Sequence, residues 1–81
     1  MARLSDADKN AAIELAFLYR QSTRTTTNRA AERVSCEIAG LENGIRTYRN
    51  DAALAAVRAE AVKVNQRVAA NAVFLAARIA A

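Results

Sequence analysis

Residues 51–81 contain neither Gly nor Pro, and their apolar side chains recur at intervals of three and four residues. This spacing places one row of apolar residues along a single side of a helix. The row, here called the core stripe, consists of Leu54, Val57, Ala61, Val64, Val68, Ala72, Leu75 and Ile79. At a rise of about 1.5 Å per residue, a helix over residues 51–80 is about 45 Å long. The pattern predicts one long helix that dominates the fold.

A second apolar row, here called the outer stripe, lies beside the core stripe. It consists of Val62, Ala69, Val73, Ala76 and Ala80. The remaining side of the helix is a narrow polar line, formed by Glu60, Lys63, Arg67, Asn71 and Arg78. So wide an apolar surface exceeds what the rest of this short chain can cover, and uncovered apolar patches mark interfaces. We therefore expect the outer stripe to form the interface of a homo-oligomer.

Two more helices are predicted upstream, over residues 6–21 and 28–49. Ser5 is a suitable N-cap for the first helix, and Asp8 stands at capping-box distance from it. The second helix has a regular apolar seam of Ala31, Val34, Ile38, Leu41, Ile45 and Tyr48. Asn50 is a suitable N-cap for the third helix. With two Gly, no Pro and 53% hydrophobic residues, the composition is that of an all-α chain.

Two segments make the helix bounds uncertain. Residues 21–28 read QSTRTTTN, and clustered Thr side chains favour a break, yet no Gly or Pro enforces one. The alternative is one continuous helix that folds back at Asn50. Gly40 and Gly44, in turn, are consistent either with a helix end or with close approach of another helix.

Geometry favours the break. A continuous helix would place Arg20 and Arg24 against aliphatic residues near the end of the chain with no carboxylate nearby, at a cost of several kcal/mol. With a break, the first helix turns back and covers the end of the third. In that arrangement Ile13, Phe17 and Leu18 pack on Phe74, Leu75 and Ile79.

The fold expected from these patterns is a single all-α domain over residues 1–81. It is a small antiparallel three-helix bundle or a long helical hairpin, and its long C-terminal helix is available for oligomerisation. About 81 residues is near the size at which one core is only marginally stabilising, and a second copy often completes such a core.

The residue inventory excludes several chemistries. With no His and one Cys, a single chain cannot build a Cys/His zinc site, a Ser-His-Asp triad or a disulfide. No Gly-rich phosphate loop is present. We therefore expect no enzyme activity, no metal and no cofactor. Cys36 is expected to pack as a small hydrophobic residue. The chain shows no secretory signal and no membrane-spanning stretch, so we expect a cytoplasmic protein without a membrane partner.

Arginine is the second functional signal. The basic residues Arg20, Arg24, Arg29 and Arg33 flank the Thr-rich segment. Guanidinium groups beside hydroxyl groups suit the recognition of phosphate or carboxylate, so these four are the candidate residues for binding a partner or an anion. The partner is nucleic acid or an acidic protein surface; the alternative is that the arginines only solvate the surface.

The segment before Asn50 resembles helix-turn-helix proteins, in which a capped helix and a polar turn precede a recognition helix. Ala31 matches the small residue of that motif, but Ser35 stands where its turn glycine is expected. The resemblance implies a small basic nucleic-acid-binding regulator of degenerate helix-turn-helix type. The function that the sequence favours is a non-catalytic protein-interaction module that acts as a homodimer, such as an adaptor, inhibitor or assembly subunit typical of bacteria and their phages.

Overall fold

A computed structural model describes residues 4–80 of the chain, which form three α-helices and no strand. They are α1 (Asp6–Ser22), α2 (Asn28–Tyr48) and α3 (Asp51–Ala80). The all-α prediction is confirmed, and the bounds lie within one residue of those expected. Over the same residues, no helix combines the length and the apolar character that crossing a lipid bilayer requires.

Each helix begins at a polar side chain that accepts a hydrogen bond from the first turn. Ser5 Oγ accepts from the Asp8 amide at 3.1 Å. Thr27 Oγ1 accepts from the Ala30 amide, also at 3.1 Å. Asn50 Oδ1 accepts from the Ala53 amide, three residues further along, at 2.7 Å. These bonds satisfy backbone donors that the helix itself leaves free, which explains why the helices start where the sequence predicts.

The Thr-rich segment does break the helix, so the single continuous helix is wrong. Hydroxyl groups at the end of α1 donate to nearby carbonyl oxygens: Ser22 Oγ to Tyr19 at 2.6 Å and Thr23 Oγ1 to Arg20 at 2.8 Å. Such local bonds compete with helix propagation. Residues 23–27 therefore form the turn between α1 and α2.

The glycines of α2 do not end it. Both Gly40 and Gly44 lie inside the helix, and a Cβ built at either position meets nothing within 4 Å among the described atoms. The structure thus assigns them neither a helix end nor a close approach within the chain. Ile38, Leu41 and Ile45 keep α2 on the core across both glycines.

The core lies between α1 and the first part of α3. Its centre is a cluster of fully buried residues: Ala12, Leu15, Ala16, Val57 and Ala61. Leu18, Val34 and Leu54 are also buried. Alanines on both helices let the two backbones approach closely, which increases the number of van der Waals contacts.

The predicted packing of α1 is wrong for most of its residues. Leu18 is buried as expected, but Ile13 and Phe17 are 55% and 49% exposed. The structure instead turns the small residues Ala12 and Ala16 to the core. Large side chains at this contact would hold α1 away from α3, whereas alanines do not.

The predicted cover over the end of α3 is also wrong: Phe74, Leu75 and Ile79 are 60%, 56% and 86% exposed. The reason is the direction of α1. A salt bridge of 2.8 Å between Asp8 and Arg49 fixes the start of α1 near the start of α3. Both halves of α1, at Ile13 and at Arg20, line depressions formed with residues 60–72 of α3, so α1, only about 25 Å long, crosses that stretch and leaves the last turns of α3 uncovered.

One polar network joins all three helices. Tyr19 of α1 donates to Glu42 of α2 at 3.2 Å, and Arg58 of α3 donates to the same carboxylate oxygen. The hydrogen bond from Arg58 is the main reason why the pKa of Glu42 lies below its usual value. Burial, together with the nearby Glu42 charge, raises the pKa of Tyr19. The network fixes α2 beside the first part of α3.

The molecule is flat and open. Its extents are 48 × 39 × 14 Å, and its radius of gyration is 14.8 Å. A compact chain of this length has a radius of gyration of about 12 Å. The accessible surface is 6204 Å², whereas about 4700 Å² is typical of a folded monomer of this mass. The excess, about 1500 Å², is surface that a compact monomer would have buried.

Candidate interaction surface

The two halves of α3 have opposite environments. Residues 51–65, here called the first half, hold all the buried residues of the helix: Leu54, Val57 and Ala61. Residues 66–80, here called the second half, are exposed without exception. Nothing in the local sequence separates the halves, because the second half is at least as apolar as the first. The difference arises from α1, which packs on the first half at Val57 and Ala61 and only borders the start of the second half.

The core stripe continues unbroken from the first half into the second. Members of the stripe are three or four residues apart, so the side that packs on α1 at Val57 and Ala61 is the side that carries Leu75 and Ile79. In the second half this side is open: Val68 is 41% exposed, and Ala72 is exposed as well. The sequence pattern predicted these residues as core, and their spacing gave no sign that their cover would be missing.

The outer stripe is exposed along its whole length, as the interface prediction requires. Val62 and Val73 are 52% and 71% exposed, and Ala69, Ala76 and Ala80 are exposed too. The two stripes lie side by side. Together they give the second half of α3 a broad apolar surface that is accessible to another molecule.

Charged groups of α3 stay away from this surface. Arg67 lies on the polar line and pairs with Glu60 at 3.0 Å. Arg78 also lies on the polar line, with its guanidinium 5.8 Å from the centre of the Phe74 ring. No Asp or Glu occurs after Glu60. The apolar surface therefore holds no ionised group of α3 that a partner would have to desolvate.

A groove joins this surface to the end of α1. Its volume is about 400 Å³, and it is lined by Tyr19, Arg20, Thr23, Arg24, Asn65, Val68, Ala69 and Ala72. Residues of both stripes form the α3 wall. The last turn of α1 forms the other wall, so α1 ends beside the place where the uncovered surface begins.

Arg20 and Arg24 lie together, as the sequence predicts. Both line a second open depression of about 430 Å³, on the side of α1 that faces the turn to α2. Arg20 is partly engaged in the fold, because its Nη1 donates to Asn65 Oδ1 at 2.6 Å and its guanidinium lies 5.8 Å from the centre of the Phe17 ring. Arg24 is exposed, and no carboxylate of the described residues pairs with it.

The other two predicted arginines lie apart from this depression. Arg29 and Arg33 are exposed on the first turns of α2 and do not line it. Within residues 4–80 they too have no carboxylate partner, whereas Arg46, Arg49, Arg58 and Arg67 are all in salt bridges. Among the described residues, Arg24, Arg29 and Arg33 are therefore exposed without a carboxylate partner, as is Arg78, whereas Arg20 is partly engaged by Asn65.

Sequence reasoning missed Phe17 in the depression: it was expected in the core but forms an apolar wall. Thr25 and Thr26, from the Thr-rich segment expected beside the arginines, also line the depression. Cys36 was expected to be packed, yet it is exposed on α2. The exposure of Phe17 and Cys36 follows from how α1 and α2 are rotated about their axes, which no local pattern specifies.

Comparison with protein families, with curated proteins and with solved structures gave no match to this chain.

Proposed function

We propose that the chain is a non-catalytic protein-interaction module that acts as a homodimer through the second half of α3. One observation carries the proposal: the core stripe continues past the end of α1 into fifteen residues, 66–80, all of which are exposed. An apolar stripe of this kind gains free energy when it leaves water, and a second copy of the chain offers the same stripe in return.

The amount of uncovered surface supports a stable dimer. A standard interface removes about 800 Å² from each partner. The chain as a whole exposes about 1500 Å² more than a compact monomer of its mass, so its open shape leaves room for an interface of that size. The alanines of the outer stripe also allow two helices to approach closely. A cytoplasmic location belongs to the same proposal, because an exposed single cysteine suits a reducing compartment.

Light scattering after size exclusion tests the homodimer. We expect a mass near twice 8.7 kDa at micromolar protein. Leu75→Asp places a charge on the core stripe and should give monomers. Asn71→Asp introduces the same charge one turn earlier on the polar line, and it should leave the dimer intact. Equal effects of both variants, or a monomeric wild type, would contradict the proposal.

A second candidate function is the binding of an anionic partner by the arginines around the turn. Residues 20–33 contain four Arg and one Glu, so they carry three of the four formal positive charges of the chain. None of the four arginines has a carboxylate partner among the described residues. This concentration of unpaired charge favours an acidic protein surface or nucleic-acid phosphates as the partner.

Two probes separate these partners: duplex DNA and a polyglutamate peptide. Arg24→Glu combined with Arg29→Glu should weaken the relevant complex at least about tenfold, or about 1.4 kcal/mol. The control variant, Lys9→Glu combined with Lys63→Glu, changes the net charge by the same amount at exposed positions away from the turn. It should weaken the complex less than the arginine variant does. Binding of DNA that falls steeply with salt supports the nucleic-acid regulator. Binding of polyglutamate alone supports an acidic protein partner, and no binding of either contradicts this second function.

A further inference from the structure

We infer that the occupant of the uncovered apolar surface is the second half of α3 from a second copy, lying antiparallel to the first. This inference rests on the proposed homodimer and specifies its geometry. It follows from the shape of one chain: α1 and the core lie at one end of α3, and the uncovered surface lies at the other.

A parallel pair is excluded by the position of α1. In each copy α1 packs on the core stripe of the first half, at Val57 and Ala61. Parallel helices that met along the second half would bring both α1 helices between the two first halves. Packed helix axes are only about 8–10 Å apart, so there is no space for two more helices between them. In an antiparallel pair, each α1 lies beyond the end of the other copy's α3.

The end of α1 also limits how far the two helices overlap. Its last turn, at Arg20 and Thr23, lines the groove beside Val68, Ala69 and Ala72. A helix lying on the second half runs beside this turn from Ala72 to Val68, and it cannot continue past Val68 because α1 covers the same side of α3 at Ala61. The overlap therefore covers residues 68–80, and the symmetry axis passes near Phe74 along the helix.

At both ends of the overlap this register places large residues opposite small ones: Val68 faces Ala80 of the second copy, and Ile79 faces Ala69. Such pairing lets two helices fill the space between them without voids. Nearer the axis, small residues face each other at Ala72 and Ala76, and large residues face each other at Val73 and Leu75. The outer stripe, which was predicted as the interface, and the uncovered core stripe, which was predicted as core, both contribute to this contact.

The register can be tested by disulfide cross-linking in full-length chains that carry Cys36→Ser, since Cys36 is exposed and would react. Residues that face each other across two closely packed helices have Cα atoms within disulfide range, about 4–7 Å. A shift of four residues adds about 6 Å along the axis and exceeds that range. We therefore expect a disulfide when Ala72→Cys and Ala76→Cys chains are mixed, and little when either chain is oxidised alone.

Asn71→Cys mixed with Arg78→Cys is the matched control, because both positions lie on the polar line and should not cross-link. Efficient cross-linking of Ala72→Cys with itself would show either a parallel pair or an antiparallel pair in another register, and both results overturn the inference. A dimeric mass without any cross-link in the mixture would also overturn it, while leaving the proposed homodimer in place. A monomeric mass of the same sample would contradict both.

Discussion

The two halves of α3 carry the same apolar pattern but differ in how far their side chains are buried. In the first half, Val57 and Ala61 are fully buried under α1, whereas in the second half Leu75 is 56% and Ile79 is 86% exposed. Side chains on the same side of α3 are thus buried over about two turns and exposed over the next four. What differs is the length of the neighbour, since α1 has 17 residues and α3 has 30.

An apolar stripe therefore indicates that a helix packs against another surface, but it does not indicate whether that surface belongs to the same chain or to another molecule. The first half finds its contact within the chain. The second half has the same physical requirement and, in the present account, satisfies it with a second copy. Substitutions in the first half should therefore lower the stability of a single chain, whereas those in the second half should act on association.

The largest effect is expected where the first half meets α1. Leu15→Ala removes a fully buried side chain, which should lower the free energy of unfolding by about 2–5 kcal/mol. Phe17→Ala lies half a turn away at a 49% exposed position and should cost clearly less. Urea denaturation of both variants measures the difference. A cost for Phe17→Ala that equals or exceeds that of Leu15→Ala would mean that α1 is rotated as the sequence pattern suggested.

The next effect compares one substitution at two positions of the core stripe. Ala61→Leu overfills a fully buried site and should cost about 1–3 kcal/mol. Ala72→Leu adds the same atoms at an exposed site in the second half, so it should leave the stability of the dilute monomer within about 0.5 kcal/mol. Denaturation at low protein concentration gives both values. Comparable losses would show that the second half is covered within one chain.

A smaller effect separates α3 from α2 as the dimer surface. Gly40→Ala and Gly44→Ala should each raise stability by about 0.5–1 kcal/mol, because both lie in a helix with open space around the added methyl group. The dimer should be unaffected, since the proposed interface is on α3. Weaker association of these variants in sedimentation would instead point to a glycine-mediated contact through α2.

The smallest effect is pH-dependent and concerns the first half alone. Because the pKa of Glu42 is lowered in the folded state, its bond to Arg58 stabilises the fold above the usual Glu pKa of 4.5 and is lost as the pH falls below that value. Glu42→Gln should therefore melt lower than the wild type at neutral pH, and the gap should narrow in acid. A gap that stays constant with pH would mean that the carboxylate charge is not what stabilises this contact.

Local chemistry explains why much of the fold could be predicted. The caps Ser5, Thr27 and Asn50 fix the starts of the helices through hydrogen bonds to amides three residues on, and such bonds depend only on nearby residues. The outer stripe was found because its spacing is regular and the chain is too short to cover it. The available arginines were found because they cluster around a turn with a single Glu.

Long-range geometry explains what could not be predicted. Ile13 and Phe17 were expected on the inner side of α1, but Ala12 and Ala16 pack there against α3 instead. The direction of α1 relative to α3 depends on contacts such as Asp8 with Arg49, which are distant in sequence. For that reason the exposure of Leu75 and Ile79, on which the account of the interface rests, emerged only from the fold.

Hydrogen exchange along α3 at high and low protein concentration distinguishes a dimer formed through the second half of α3 from a monomer. Amides of the first half should be protected at both concentrations, because α1 covers them within one chain. Amides of residues 68–80 should be protected at high concentration and should lose that protection on dilution, as the dimer dissociates. If the second half exchanges equally fast at both concentrations while the protein stays folded, its apolar surface has no partner of its own kind and the account is contradicted.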